Sequence, residues 1–101
     1  MNAQTSQTGQ THHIKLSGRL VFSDHAEFRH LLNQITAAKV ESCIIDLSEL
    51  QSIDSSGLGM FMVALETGKE NGWSLTLRSP QGHVKALIEL GKFDKLLNVE
   101  K

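Results

Sequence analysis

The sequence predicts an α/β fold: a mostly parallel or mixed sheet of about four strands covered by helices. Three observations carry this. Apolar residues alternate at period two around 12–20 and 73–78 and form a short apolar run at 43–47. Stripes with the i, i+3, i+4, i+7 spacing of a one-sided helix lie between them. Gly, Asn-Gly and Ser-Pro stand at the joins. Strands and helices in alternation at this spacing imply βαβ crossovers.

Residues 1–11 are rich in Gln, Thr and Ser without an apolar period, so they are expected to form a flexible arm or a weak edge strand ahead of a domain at 12–101. From His12, Ile14, Leu16 and Leu20 alternate with Lys15, Ser17 and Arg19, a half-buried strand with a bend or bulge at Gly18. Ser23 or Asp24 then caps a helix whose apolar face is Phe28, Leu31, Leu32 and Ile35, ending near Lys39. Cys43 to Leu47 is apolar on both faces except at Asp46, as suits a central strand. A second helix starts near Leu58, with Leu58, Phe61, Met62 and Leu65 as its core stripe and Asn71-Gly72 as its left-handed stop. Trp73, Leu75 and Leu77 mark another strand. Ser79-Pro80 reads as the cap and first residue of a third helix carrying Val84, Leu87 and Ile88. Gly91 stops that helix, and Phe93, Leu96, Leu97 and Val99 fold back as a short turn and strand.

Composition excludes more than it names. With 101 residues, 40% of them hydrophobic, the chain makes one small domain with a single core. Ten basic against eleven acidic residues remove the electrostatic basis for a nucleic-acid or acidic-membrane partner. The lone Cys43 sits in an apolar run and reads as a core thiol. No stretch suggests a signal peptide or membrane span, and a cytoplasmic protein is expected. Five histidines do not converge on a metal: His12 and His13 point to opposite faces of a strand, and His25 and His30 stand five apart on a helix. No metal and no cofactor are expected.

The segment Asp54-Ser55-Ser56-Gly57-Leu58-Gly59 stands out, between an apolar strand and a long helix. A helix entrance offers unpaired N–H groups and the positive end of the macrodipole, so an Asp or Ser caps it and an added phosphate is stabilised there. No acid–base machinery accompanies the serines. A nucleophile elbow needs Gly two residues to either side of its serine, yet Ile53 and Asp54 occupy the upstream positions. Gly57-Leu58-Gly59 lacks the third Gly of a dinucleotide fingerprint, where Met62 stands, and the Lys of a P-loop. Simple N-capping explains one of the polar residues. Two hydroxyls and an acid before two backbone-exposing glycines point further, to a switch rather than an enzyme. Met60 and Val63, taken to lie on the face of the second helix opposite its core stripe, complete a plausible docking surface.

In this order and spacing, together with Leu16-Ser17-Gly18-Arg19-Leu20, Ile44-Ile45-Asp46-Leu47, Ser79-Pro80 and Gly91-Lys92-Phe93, the chain resembles a STAS domain of the bacterial anti-sigma-factor antagonist family from Ile14 to Glu100. The resemblance implies a partner-switching protein. Such proteins bind an anti-sigma factor, usually a serine kinase of the histidine-kinase-like ATPase fold, while the switch serine is unmodified. Phosphorylation releases them, and a metal-dependent serine phosphatase resets them. The acceptor maps to Ser55, with Ser56 as the alternative, and the partner surface to Asp54, Ser55, Ser56, Gly57, Leu58 and Gly59. Many relatives carry an acid where Val21 stands, so Asp24 or Asp54 would supply the nearby negative charge. The other reading of the resemblance is a STAS subunit that binds an ATPase constitutively, as in lipid-transport complexes, or scaffolds a signalling assembly.

Overall fold

The computed structural model describes residues 1–100. Its strands are β1 (Asn2–Thr8), β2 (Thr11–Leu20), β3 (Ser42–Ile53), β4 (Ser74–Arg78) and β5 (Asn98–Glu100). Helices α1 (His25–Ala37), α2 (Ser55–Asn71) and α3 (Gly82–Leu90) occupy the crossovers after β2, β3 and β4. The five strands make one sheet in sequential order, β1 antiparallel to β2 and the others parallel. The α/β class is as the sequence predicts, with one strand more than four. The extra strand is β1, so the polar N-terminal segment pairs along its whole length with β2, from Asn2 opposite Ser17 to Thr8 opposite Thr11. Gly9, at φ +59°, supplies the left-handed residue of the tight turn between them.

Register places Ile14, Ile45, Leu77 and Val99 in one row across the sheet. Next to it run Lys15, Asp46, Arg78 and Glu100 on the opposite face. The first face carries the core: Ile14, Leu16, Cys43, Ile45, Leu47, Leu75 and Leu77 join Phe28, Ile35, Met60, Phe61, Val84 and Ile88 of the three helices in one buried cluster. Phe28 and Phe61 link α1 to α2, their rings 6.2 Å apart and tilted by 59°. The second face has no fully buried side chain at His13, Lys15, Ile44, Asp46, Thr76 or Arg78. Its charges pair: Lys15 Nζ lies 2.6 Å from Glu49 and Arg78 Nε 2.8 Å from Glu100. Burial alone would raise the Asp46 carboxyl, but the Ser48 N–H at 2.9 Å and the nearby Lys15 and Arg78 hold it below its ordinary range.

The expected bend at Gly18 is present, with φ +82° and register shifts on either side. α1 buries Phe28, Leu31, Leu32 and Ile35 as the spacing predicts and leaves the helix through Lys39 at φ +55°. Gly72 ends α2 in the left-handed conformation. Cys43 is buried, and burial pushes its thiol up to about 12.

Two expectations are corrected. α3 starts at Gly82 behind Gln81, so Ser79-Pro80 is not its cap. Ser79 instead takes φ +55° and donates its N–H to Glu100 O at 2.7 Å, tying the β4 exit to β5. The face of α2 also differs. Gly57, Met60, Phe61, Ala64 and Gly68 are buried, whereas Leu58, Met62 and Leu65 sit at the margins, half-buried. Small residues decide this, because α2 lies so close to its neighbours that a Cβ at Gly57 would collide with Ile53 and Leu20 O, and one at Gly68 with Trp73.

Candidate functional site

β3 ends at Ile53 and α2 begins at Ser55, leaving Asp54 alone in the turn as the helix cap. Its extended backbone (φ −101°, ψ −177°) lets the carboxylate fold over the first turn. Oδ1 accepts the Gly57 N–H at 2.8 Å, and Oδ2 accepts the Phe22 N–H at 3.3 Å. The Asp54 main chain adds a bond from its N–H to Leu20 O at 3.3 Å and accepts Leu58 N–H at 3.1 Å. One residue therefore caps α2 and fastens it to the segment that leaves β2.

Ser55, the first helical residue, is exposed, and Ser56 beside it is half-buried. Neither hydroxyl makes a hydrogen bond within the described residues. Ser55 is thus free to meet another molecule. Gly57 is buried against Ile53 and Leu20, while Gly59 is exposed with open space where its Cβ would be. Leu58 is half-buried.

The segment leaving β2 makes a 3-10 turn, Phe22–Asp24, before α1. Asp24 Oδ2 accepts the Val21 N–H at 2.9 Å, and Oδ1 lies 3.2 Å from the Met1 amino group. The Val21 bond is the main cause of an Asp24 carboxyl held below its ordinary range. Asp24 is the residue before α1 but its side chain makes no cap bond to that helix. Phe22, held by its backbone to Asp54, turns its ring outward at 70% exposure, stacked on His25 with centroids 6.3 Å apart. Nothing in the sequence singled out Phe22: an isolated aromatic between a strand and a helix has no periodicity to betray exposure.

Of the residues placed on an outer face of α2, Val63 is there, 42% exposed, but Met60 is not. Met60 is 3% exposed, one turn beyond Gly57 on the face that α2 presses into the core, and is removed from the docking surface. His12, weighed from the sequence only as a metal ligand, has a different interest. It sits at the start of β2 beside Cys43 in register, with both ring nitrogens buried and unpartnered among the described residues. Burial first, then the neighbouring His13, lowers its pKa. Among the described residues, no three His, Cys, Asp or Glu side chains gather as a metal would require, and no helix is long and apolar enough to cross a membrane.

A sequential sheet with one antiparallel edge strand, and a capped serine turn where the central strand meets its helix, defines a class of small α/β domain. The family described as "Mlab, STAS domain" matches residues 3–98, and the chain belongs to this STAS family. It is 27% identical over 100 residues to a STAS-domain containing protein of Pseudomonas aeruginosa, covering 98% of this chain and 97% of that one. Among solved structures it is similar to a candidate anti-sigma factor antagonist of Thermotoga maritima, with TM-score 0.88, 18% identity and coverage of 98% and 86%. It is also similar to the Bacillus cell fate determinant SpoIIAA in its phosphorylated form, with TM-score 0.74, 18% identity and coverage of 99% and 92%. At these identities the structural likenesses establish the fold.

Proposed function

We propose that the protein is an anti-sigma-factor antagonist, a non-enzymatic partner-switching domain controlled by phosphorylation of Ser55. One observation carries the reading: an exposed, unbonded serine at the first position of a helix whose cap is already made by its neighbour, Asp54. The serine is not needed for capping, so its hydroxyl is available for modification. SpoIIAA, which shares the fold, has been solved both unphosphorylated and phosphorylated, and that supports reading the turn as a switch.

The partner is an anti-sigma factor that is itself a serine kinase of the histidine-kinase-like ATPase fold, and a metal-dependent serine phosphatase reverses its action. The unmodified surface of Asp54, Ser55, Ser56, Gly59 and Val63 docks on that partner in the cytoplasm. A phosphoserine brings about −1.5 to −2 charges. The helix N-terminus accommodates that charge, whereas a partner packed on the turn would have to desolvate it. A penalty of about 4 kcal/mol is close to a thousandfold in affinity, enough to release the partner while the domain stays folded.

Affinity capture of the unmodified protein, followed by incubation of the complex with ATP and peptide mapping, tests this. Phosphate on Ser55, lost in Ser55→Ala, is the expected result. Phosphate on Ser56 alone moves the switch by one residue. A stable ATPase complex with phosphate on neither serine overturns the switch in favour of a constitutive docking subunit.

A further inference from the structure

We propose that Asp54 couples Ser55 to the Phe22–His25 aromatic pair, so that a phosphate on Ser55 frees the Phe22 segment from α2 and changes the binding surface at a second place. The inference rests on Ser55 as the modified residue and adds a mechanism to it. Asp54 divides one carboxylate between two donors, Gly57 N–H at 2.8 Å and Phe22 N–H at 3.3 Å. Among the described residues, the longer bond, from Phe22 N–H to the Asp54 carboxylate, is the sole hydrogen bond between residues 21–24 and a side chain of the α2 turn. A dianion on the adjacent residue repels that carboxylate and competes with it for the same helix N–H groups, which a phosphate at a helix start accepts. When the carboxylate shifts, Phe22 N–H loses its acceptor.

The consequence falls on an unusual surface. Phe22 is a 70% exposed aromatic, stacked on the exposed His25, and its position is set through its own backbone. Aromatic residues, Phe among them, are enriched at protein interfaces relative to the rest of the surface. Asp24, by bonding Val21 N–H, keeps the 3-10 turn itself intact, so the change is a loosening of the turn from α2 and not its unfolding. Asp54 is a positioning residue in this scheme.

Phosphoserine installed at position 55 during synthesis allows the test without any kinase. Amide exchange at Phe22, followed by NMR, should quicken by roughly five- to tenfold on phosphorylation, the equivalent of one lost hydrogen bond. Val21 N–H, bonded to Asp24, should not change. Asp54→Asn has a single acceptor oxygen left for Gly57, so unmodified D54N should already show the fast Phe22 exchange, and phosphoserine should add little to it. Unchanged Phe22 exchange in the phosphorylated protein overturns the coupling, as does a phosphate effect of full size in D54N. Because the phosphate is supplied chemically, these results stand apart from whether a partner kinase modifies Ser55.

Discussion

At the scale of single residues, the turn separates two jobs that one polar residue could have combined. Asp54 caps, and Ser55 is left free. Ser55→Ala should therefore melt within about 0.5 kcal/mol of the native protein, as surface changes do, and should hold its partner in the presence of ATP. Ser55→Asp should bind more weakly by calorimetry, though less so than the phosphoprotein, since one carboxylate carries less charge than a phosphate. Equal affinities of the two variants would remove charge as the switching principle. His12 makes a second, unrelated prediction. Its folded pKa is lowered, so below the ordinary histidine range the unfolded chain takes up a proton that the folded one resists. Stability contributed at this site is thus intact above about pH 6.5 and falls as the pH drops through it. His12→Leu removes two buried, unpartnered ring nitrogens from a half-buried side chain. Urea melts should show this variant more stable at pH 7.5 by about 1 kcal/mol, with a shallower loss between pH 7.5 and 5.5.

At the scale of the element, α2 shows both what a sequence reveals and what it hides. The turn residues and the Gly72 stop were legible because each follows from local backbone chemistry, whereas the start was not: α2 begins at Ser55, ahead of the Leu58 where its apolar stripe opens, because the Asp54 cap and not the stripe sets the first turn. The buried face was not legible either, because the eye follows large apolar side chains, and here closeness of approach is set by Gly57, Ala64 and Gly68. α3 taught the same lesson: Ser79-Pro80 has the chemistry of a cap, but its N–H is claimed by Glu100 from β5, a partner twenty-one residues away. Glycine substitutions check the corrected face. Gly68→Ala should destabilise by about 1–3 kcal/mol through overpacking on Trp73. Gly59→Ala meets nothing and should stabilise the helix by up to about 1 kcal/mol. If Gly59 lies under the partner, the same alanine weakens binding while raising the melting temperature. Lysine scanning completes the test: Val63→Lys should impair docking at unchanged stability, whereas Met60→Lys buries an unpaired charge and should cost several kcal/mol.

At the scale of the molecule, the one-sided core was legible in the alternation of Ile14, Leu16, Leu75 and Leu77, but β1 was legible only as one of two alternatives, an arm or a weak edge strand, since Asn2–Thr8 carries no apolar period and is fixed mainly by its ladder to β2. Pairing energy, unlike burial, leaves little trace in composition. The sheet also has two dissimilar ends. At one end lie Asp54, Ser55 and the Phe22 turn; at the other lie the Gly9-Gln10 hairpin, the α1 exit at Lys39 and the α2 exit at Gly72. The ten residues of β2 hold these rims roughly 30 Å apart. A fluorophore, biotin or surface linkage attached at Gln10, which is exposed, would accordingly report on or immobilise the protein without shading the serine rim. The hairpin is a natural handle, with the sheet itself serving as the spacer that an experimenter would otherwise have to build.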